Sequence, residues 1–254
     1  MSKLGKYLIF LSKLFTNPEK FRVYWALTMQ ECKDIGKALV KKFLAEQFTV
    51  YTCSRNQAKL DALSAELGTD RLYTFAADLS QKNQVLDFAN WILAQTNQID
   101  VLVNNTGVFM PGQIQNEAED ILEKTIETNL YSAYHLTRAL LPTIQAKQAG
   151  HIFSICSTAS ITAYTLGGSY CISKFALLGF TKVLREELKT QGIKVTAILP
   201  GATLTPSWDG VELPESRFIP ADDVAQTIWS AYQMSPSTVL EEILIRPQLG
   251  DIDL

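Results

Sequence analysis

Beyond Pro18, short runs of β-branched and aromatic residues alternate with longer stretches in which apolar residues recur at helical spacing. That alternation predicts βαβ units and a parallel sheet. The strand runs fall at residues 21–27, 48–54, 71–77, 99–105, 151–157, 194–200 and 241–247. The helical stretches fall at 36–46, 57–67, 82–95, 118–146, 170–190 and 221–233. Asn56 and Ser80 stand where N-caps are wanted, and Gly68 and Gly192 follow helix ends that call for a left-handed residue. No repeat, linker or low-complexity stretch interrupts the series. The expected fold is α/β, with residues 21–254 forming one domain around a doubly wound parallel sheet of seven strands with helices on both faces. Ligands of such sheets lie beyond the carboxyl ends of the strands.

The first 20 residues stand outside this series. Leu4, Tyr7, Leu8, Leu11, Leu14 and Phe15 share one face of a helical wheel, and Lys3, Lys6 and Lys13 lie largely off it, which describes an amphipathic, basic helix. Two readings stand: residues 1–17 contact a membrane surface or a partner, or the helix packs on its own domain. The apolar run 7–11 is cut by Lys13 with no small-residue cleavage site after it, so no secretory signal is expected. No apolar run reaches the roughly 18 residues that span a bilayer. Cys32, Cys53, Cys156 and Cys171 form no Cys-x-x-Cys pair and read as buried thiols in a reducing cytoplasm.

Composition then limits the chemistry. With 23 basic and 26 acidic side chains in 254 residues, the chain lacks the basic footprint of a nucleic-acid binder. Its two histidines, His135 and His151, have no Cys or carboxylate at metal-ligand spacing, so no metal site is expected. There is no Gly-x-Ser-x-Gly elbow, which removes the usual Ser-His-Asp hydrolase. Acid/base work in this chain falls to something other than histidine.

Ser157 closes the fifth strand run, and Tyr170-Cys-Ile-Ser-Lys174 opens the helix that follows. Spacing of four puts Tyr170 and Lys174 on one helical face. Asn104-Asn105-Thr106-Gly107 follows the fourth run, Asn129 lies in the long fourth helix, and Pro200-Gly201 with Thr205 follows the sixth run. In order and separation these residues resemble the short-chain dehydrogenase/reductase family, over residues 21–247. The resemblance implies a Rossmann-like dinucleotide-binding domain that interconverts a carbonyl and an alcohol. In that reading Tyr170 donates the proton, and Lys174 favours the phenolate, lowering the phenol pKa, and hydrogen-bonds the nicotinamide ribose. Ser157 holds the carbonyl oxygen, and Asn129 fixes a water that relays protons to the lysine. Each also has an ordinary reading: Ser157 as a turn cap, Asn129 as a polar residue inside a helix, Tyr170 as an amphipathic surface ring.

At the cofactor end the family follows its first strand with Thr-Gly-x-x-x-Gly-x-Gly, whose glycines let backbone amides approach a pyrophosphate. Here Thr28-Met29-Gln30-Glu31-Cys32-Lys33-Asp34-Ile35-Gly36 keeps only the last glycine. Glu31 and Asp34 would face a dianion, and like charges disfavour binding. Either this loop has another shape, or cofactor binding is weakened or lost, or residues 1–35 are not the native start of the domain. After the second strand run the acidic residue that binds the ribose diol of NAD is replaced by Ser54, with Arg55 beside it. An arginine there accommodates the extra phosphate of NADP, so NADP(H) is expected over NAD(H), with Lys33 adding charge. By resemblance Ile35, Gly36, Asp78, Asn105, Gly107, Pro200, Gly201 and Thr205 complete the cofactor contacts, although Asp78 before Ser80 is equally a helix-start residue.

The segment 205–219, with Pro206, Trp208, Gly210 and Pro214, reads as a lid without regular structure. Phe109, Tyr164 and Trp208 are the expected lining of an apolar pocket for a flat or acyl carbonyl substrate. The tail from Glu241 through Gly250-Asp251-Ile252-Asp253 is similar to those of sepiapterin-reductase-like and 3-oxoacyl-carrier-protein-reductase-like bacterial members of the family. Apolar residues on more than one face of 118–146 suggest a homo-oligomer, dimer or tetramer. The rival to an NADPH-dependent reductase is a catalytically silent Rossmann-fold protein used for binding or assembly, which the lost glycines favour and the Ser157–Tyr170–Lys174 set opposes.

Overall fold

Val101 and Val103 pack to one side of their strand and Leu102 to the other, so a run that is apolar throughout belongs to a strand covered on both faces. In a computed structural model of the chain the described residues are 22–26, as backbone alone, 35–205, 208 and 210–252. The expected amphipathic helix over 1–20 lies outside them, as does the segment 27–34 with Glu31, Lys33 and Asp34. Among the described residues the strands are β1 (Arg22–Ala26), β2 (Thr49–Ser54), β3 (Leu72–Ala76), β4 (Val101–Asn104), β5 (Gly150–Ile155), β6 (Ile193–Pro200) and β7 (Glu242–Ile245). They lie parallel, side by side, in the order β3-β2-β1-β4-β5-β6-β7. From β1 the chain first winds outward to β3 and then returns to β4 on the other side of β1. This reversal opens a crevice at the carboxyl ends of β1 and β4. The register pairs Ala26 with Asn104, Asn104 with Ser154, Ile155 with Ile198 and Pro200 with Ile245, which brings the residues after β4, β5 and β6 to the same rim.

Helices cover both faces. On one side α1 (Ile35–Ala45) and α7 (Ala221–Tyr232) press Leu39, Val40, Phe43, Ile228 and Trp229 onto Val50, Val103, Phe153 and Ile198. The rings of Phe43, Phe48 and Trp229 meet edge to face at 5.2–5.6 Å, a favoured aromatic geometry. On the other side α3 (Lys82–Gln95), α5 (Ser132–Ala146) and α6 (Gly168–Leu188) bury Phe88, Ile92, Leu136, Leu140, Leu184 and Leu188 against Leu102, Ile152 and Val195. The helix α2 (Gln57–Leu67) is capped as expected, with Asn56 Oδ1 accepting the Lys59 N–H at 3.1 Å and Gly68 left-handed at φ 52°. Gly192, at φ 73°, ends the turn after α6, where a Cβ would stand 2.4 Å from the Gln148 carbonyl oxygen.

Two expectations are corrected. Ser80 does not cap α3: its N–H and hydroxyl both donate to Asp78 Oδ1, at 3.0 and 2.9 Å, and the helix starts one residue later at Gln81 without a side-chain cap. The stretch 118–146 is also not one α-helix. It consists of α4 (Ile121–Ile126), a π-helical segment Glu127–Tyr131, and α5. Thr128 and Ser132 bond back to carbonyls four residues earlier, Thr128 Oγ1 to Lys124 O at 2.9 Å and Ser132 Oγ to Thr128 O at 2.5 Å. Such back-bonding loosens the main-chain ladder, and π-turns concentrate at functional sites.

The buried histidine supplies a test of the fold. His151 on β5 stacks on Phe153 at 3.9 Å, and its Nε2 lies 2.8 Å from Thr196 Oγ1. Thr196 donates its own proton to the Leu240 carbonyl at 2.6 Å, so the imidazole proton sits on Nε2. Burial, aided by Lys194, pushes this histidine down to about 3. The folded pKa is below the unfolded one of about 6.5, so the unfolded chain binds more protons between the two. This contribution is complete above about pH 6.5 and is lost as pH falls toward 3. Denaturant unfolding should show stability declining below pH 6.5, and His151→Gln should flatten that decline. An equal slope in both proteins would remove His151 as its cause.

Candidate active site

A cavity of about 540 Å³ opens at the crevice, and its wall includes Ser157, Tyr170 and Lys174 together with Ile35, Asn105, Gly107, Pro200, Gly201 and Thr205. These residues are far apart in sequence and meet because β4, β5 and β6 end at one rim. Ser157 continues β5 with extended backbone and caps the short turn that follows. Its Oγ accepts the Ala159 N–H, and its own N–H donates to Ser160 Oγ, both at 3.1 Å. The turn-cap reading is therefore correct, and it orients a hydroxyl into the cavity wall that Tyr170 shares, where it lowers the phenol pKa.

Tyr170 and Lys174 rise from the first two turns of α6. Lys174 is buried, its Nζ 2.9 Å from the Ile155 carbonyl oxygen and 5.8 Å from the centre of the Tyr170 ring. Burial pushes the Tyr170 phenol up to about 12 against the opposing pull of the Ser157 hydrogen bond, and it pushes Lys174 down to about 8. The expected lowering of the phenol pKa by the lysine is thus overturned in this state. Both groups are withdrawn from water, and each is driven toward its neutral form.

Asn129 occupies the π-turn, fully buried behind the cavity wall. Its Oδ1 accepts the Val108 N–H at 2.7 Å, and its Nδ2 donates to the Val108 carbonyl at 3.0 Å and to Ser173 Oγ at 2.9 Å. Ser173 in turn donates to the Tyr170 carbonyl at 2.7 Å. The Asn129 side chain thus splices the segment after β4 to the helix carrying Tyr170. Gly107 lies against this splice, where a Cβ would come within 3.4 Å of Lys174 Nζ.

Four expected cofactor residues lie off the cavity wall. Gly36 is buried in the first turn of α1. Ser54 is buried, its Oγ accepting the Asn56 N–H at 3.3 Å, so it shapes the turn after β2. Arg55 is exposed just past that strand end. Asp78 is half-buried and spends Oδ1 on the Ser80 turn, which favours its helix-start reading.

At the other end Phe109, Tyr164 and Trp208 all line the cavity. Phe109 meets the Tyr170 ring edge-on at 4.9 Å, and Trp208 packs on Phe218 at 5.2 Å. The segment expected to be a lid is pinned at its neck, with Leu204 N–H donating to Ile219 O at 2.9 Å and Ile219 N–H to Ala202 O at 2.8 Å, and its described residues include a short helical turn, Glu215–Arg217. Sequence reading missed the tail as part of the wall. Gly250, at φ 81°, turns the chain so that Asp251 and Ile252 reach the cavity. Arg246 pairs with the Asp251 carboxylate, and Arg217 Nη2 donates to its carbonyl at 3.2 Å. Cys156 was missed too. It lines the cavity, and burial pushes its thiol up to about 11, which keeps it protonated.

A family profile described as short chain dehydrogenase matches residues 25–215. Sepiapterin reductase of Chlorobaculum tepidum is 32% identical over 231 residues, covering 87% of this chain and 94% of that protein. The crystal structure of a metagenomic short-chain oxidoreductase in complex with NADP is 27% identical, with a TM-score of 0.77 over 90% of this chain and 97% of that one. Serine dehydrogenase from Escherichia coli, 24% identical, has the same fold, with a TM-score of 0.80 over 91% of this chain and 100% of that one.

Proposed function

Because the chain belongs to the short chain dehydrogenase family, an oxidoreductase family, we propose that it reduces a small uncharged carbonyl compound with NADPH and that Tyr170 gives the proton. The observation that carries this reading is the cluster in the cavity wall, where Ser157, the Tyr170 phenol and the buried Lys174 meet. Room for a dinucleotide fits the residues present: the cavity extends from the first residue of α1 to Tyr170, and at Gly107 a Cβ would crowd the lysine Nζ at 3.4 Å. Bound nicotinamide supplies hydride to the carbonyl carbon. As negative charge grows on the oxygen, the hydroxyls of Ser157 and Tyr170 hold it, and Tyr170 transfers its proton. A phenol held near 12 is protonated at neutral pH, which suits reduction. Lys174 offsets the charge left on the phenolate oxygen, and the Asn129 bonds to Val108 and Ser173 hold the phenol's helix against the cavity wall. Among the described lining residues Lys174 and Asp251 carry charge, and Asp251 is paired with Arg246. Phe109, Tyr164 and Trp208 suit a flat or acyl substrate with an uncharged carbonyl.

For the cofactor, exposed Arg55 supports NADPH over NADH, and the metagenomic relative holds NADP. Fluorescence titration should give saturable binding tighter for NADPH. Arg55→Asp should cut that preference by about 10- to 100-fold, as expected for losing a hydrogen bond to a charged group. An unchanged preference would remove Arg55 from the reading, and no binding of either nucleotide would overturn the enzyme.

The same reading includes a homo-oligomer and a cytoplasmic location. Exposed Tyr131 and Tyr134 near the start of α5, with Ile172, Phe175 and Val183 on α6, support a partner copy. The buried cysteines Cys53, Cys156 and Cys171 suit a reducing compartment, and no described helix is long and apolar enough to cross a membrane.

A further inference from the structure

The helix that carries Tyr170 and Lys174 begins at Gly168, and its N-cap residue, Gly167, provides no side-chain cap. The first N–H groups of a helix have no partner within it, and buried ones must find a partner elsewhere. Here the partner comes from 52 residues away. Glu117, just before α4, sends its carboxylate to Ser169: Oε1 accepts the Ser169 N–H at 2.9 Å, and Oε2 accepts the Ser169 hydroxyl. Ser169 is only 2% exposed and is the residue before Tyr170.

The surroundings are shaped around that carboxylate. A Cβ on Gly168 would stand 2.1 Å from Glu117 Oε1, and one on Gly112 would stand 2.9 Å from Glu117 Cγ. Gly112 N–H also donates to the Leu166 carbonyl at 3.0 Å, and Gly112 bridges to Gly167. The glutamate stem therefore passes between two backbones that approach closely because neither carries a side chain there. A negative group at a helix N-terminus is favoured by the helix dipole as well as by the bonds it accepts. The segment thus fastened, residues 105–117, is the one that lays Phe109 on the Tyr170 ring and whose Val108 is clamped by Asn129.

We propose that Glu117 is a positioning residue, a remote cap that fixes the first turn of the catalytic helix and so sets the Tyr170 hydroxyl against Ser157. The proposal rests on the reading of Tyr170 as proton donor. Without Glu117 the Ser169 amide loses its partner, the first turn frays, and the phenol leaves its place while Lys174, one turn further in, keeps its bond to the Ile155 carbonyl. Displacements of this kind act on turnover more than on binding. Gln at 117 is the informative replacement, because its amide oxygen can still accept from the Ser169 N–H while its NH₂ donates to the Ser169 hydroxyl oxygen, so both contacts persist with the second one reversed.

The test compares the full-length protein, E117Q and E117A for NADPH-dependent reduction of phenanthrenequinone, a flat uncharged dicarbonyl, together with NADPH affinity and amide hydrogen exchange at residues 169–171. E117A should lower kcat by about tenfold or more with NADPH affinity unchanged, and exchange at Ser169 and Tyr170 should accelerate. E117Q should restore most of the turnover and the slow exchange. Full turnover in E117A, or an equal loss in E117Q, overturns the proposal, the latter by assigning the effect to charge instead of hydrogen bonding. If the parent protein turns over no carbonyl, the functional reading fails, and the exchange measurement still decides: slow exchange at Ser169 in E117A rejects the remote cap.

Discussion

Replacing Tyr170 by Phe is expected to lower kcat for NADPH-dependent carbonyl reduction by roughly 10²–10⁴-fold, the usual contribution of a positioned proton donor, while NADPH affinity stays as it was. The substitution keeps the ring, so the edge-on contact with Phe109 at 4.9 Å survives, and Ser157 keeps its bond from the Ala159 N–H. What disappears is one hydroxyl and its proton. Burial holds that proton near pKa 12, so in the parent protein it is available at every pH at which the fold is stable, and no other group takes its place. Cys156 lines the same cavity, but burial holds its proton to about 11, and a thiol is a weak hydrogen-bond donor to a growing oxyanion. Steady-state rates and a fluorescence titration on the same preparation make the comparison. Turnover comparable with the parent would remove Tyr170 as donor, and a parallel loss of NADPH affinity would show that the ring shapes the cofactor site.

Which features were legible in the sequence follows from how far each depends on tertiary contacts. Ser157, Tyr170 and Lys174 were legible because strand ends and a one-turn helical spacing fix where they go. Asn105, Gly107, Pro200 and Gly201 followed for the same reason, since residues just past parallel strands share one rim. The break at Asn129 was not legible. It depends on Thr128 and Ser132 back-bonding to the helix and on Val108, 21 residues earlier, receiving the amide. The N-cap of α3 failed as an expectation because a stronger local acceptor, Asp78, lay two residues before Ser80 and captured its donors. The sign of the Tyr170 shift failed for a deeper reason. Helical spacing places a cation near a phenol, but only the fold decides how much water either retains, and here the loss of water sets the direction of both shifts. Glu117 offered no local signal at all, being an ordinary acidic residue whose partner lies 52 positions away.

Lys174→Met is expected to cripple turnover and strengthen the fold together. The lysine is 5% exposed, with its Nζ on the Ile155 carbonyl at 2.9 Å, and burial lowers its pKa to about 8. In the unfolded chain a lysine titrates near 10.4, so between about 8 and 10.4 the folded protein binds fewer protons than the unfolded one and stability rises with pH. Below pH 8 the folded state carries the whole penalty of a buried ammonium, on the order of 3 kcal/mol from the difference between those two values. Methionine fills similar space without charge, and after allowance for the lost bond to Ile155 the gain at pH 7 should be on the order of 1–2 kcal/mol. Turnover should fall by roughly 10²–10³-fold, because nothing then offsets the charge left on the phenolate. The parent's reductive kcat should also decline above about pH 8 as Lys174 loses its proton, and the residual activity of the variant should lack that limb. Denaturant midpoints and pH–rate profiles read both effects. If stability and activity fell together, the lysine would be a structural tie to β5. If stability rises as activity is lost, the buried charge is a strain that the fold tolerates because the chemistry of Tyr170 requires it.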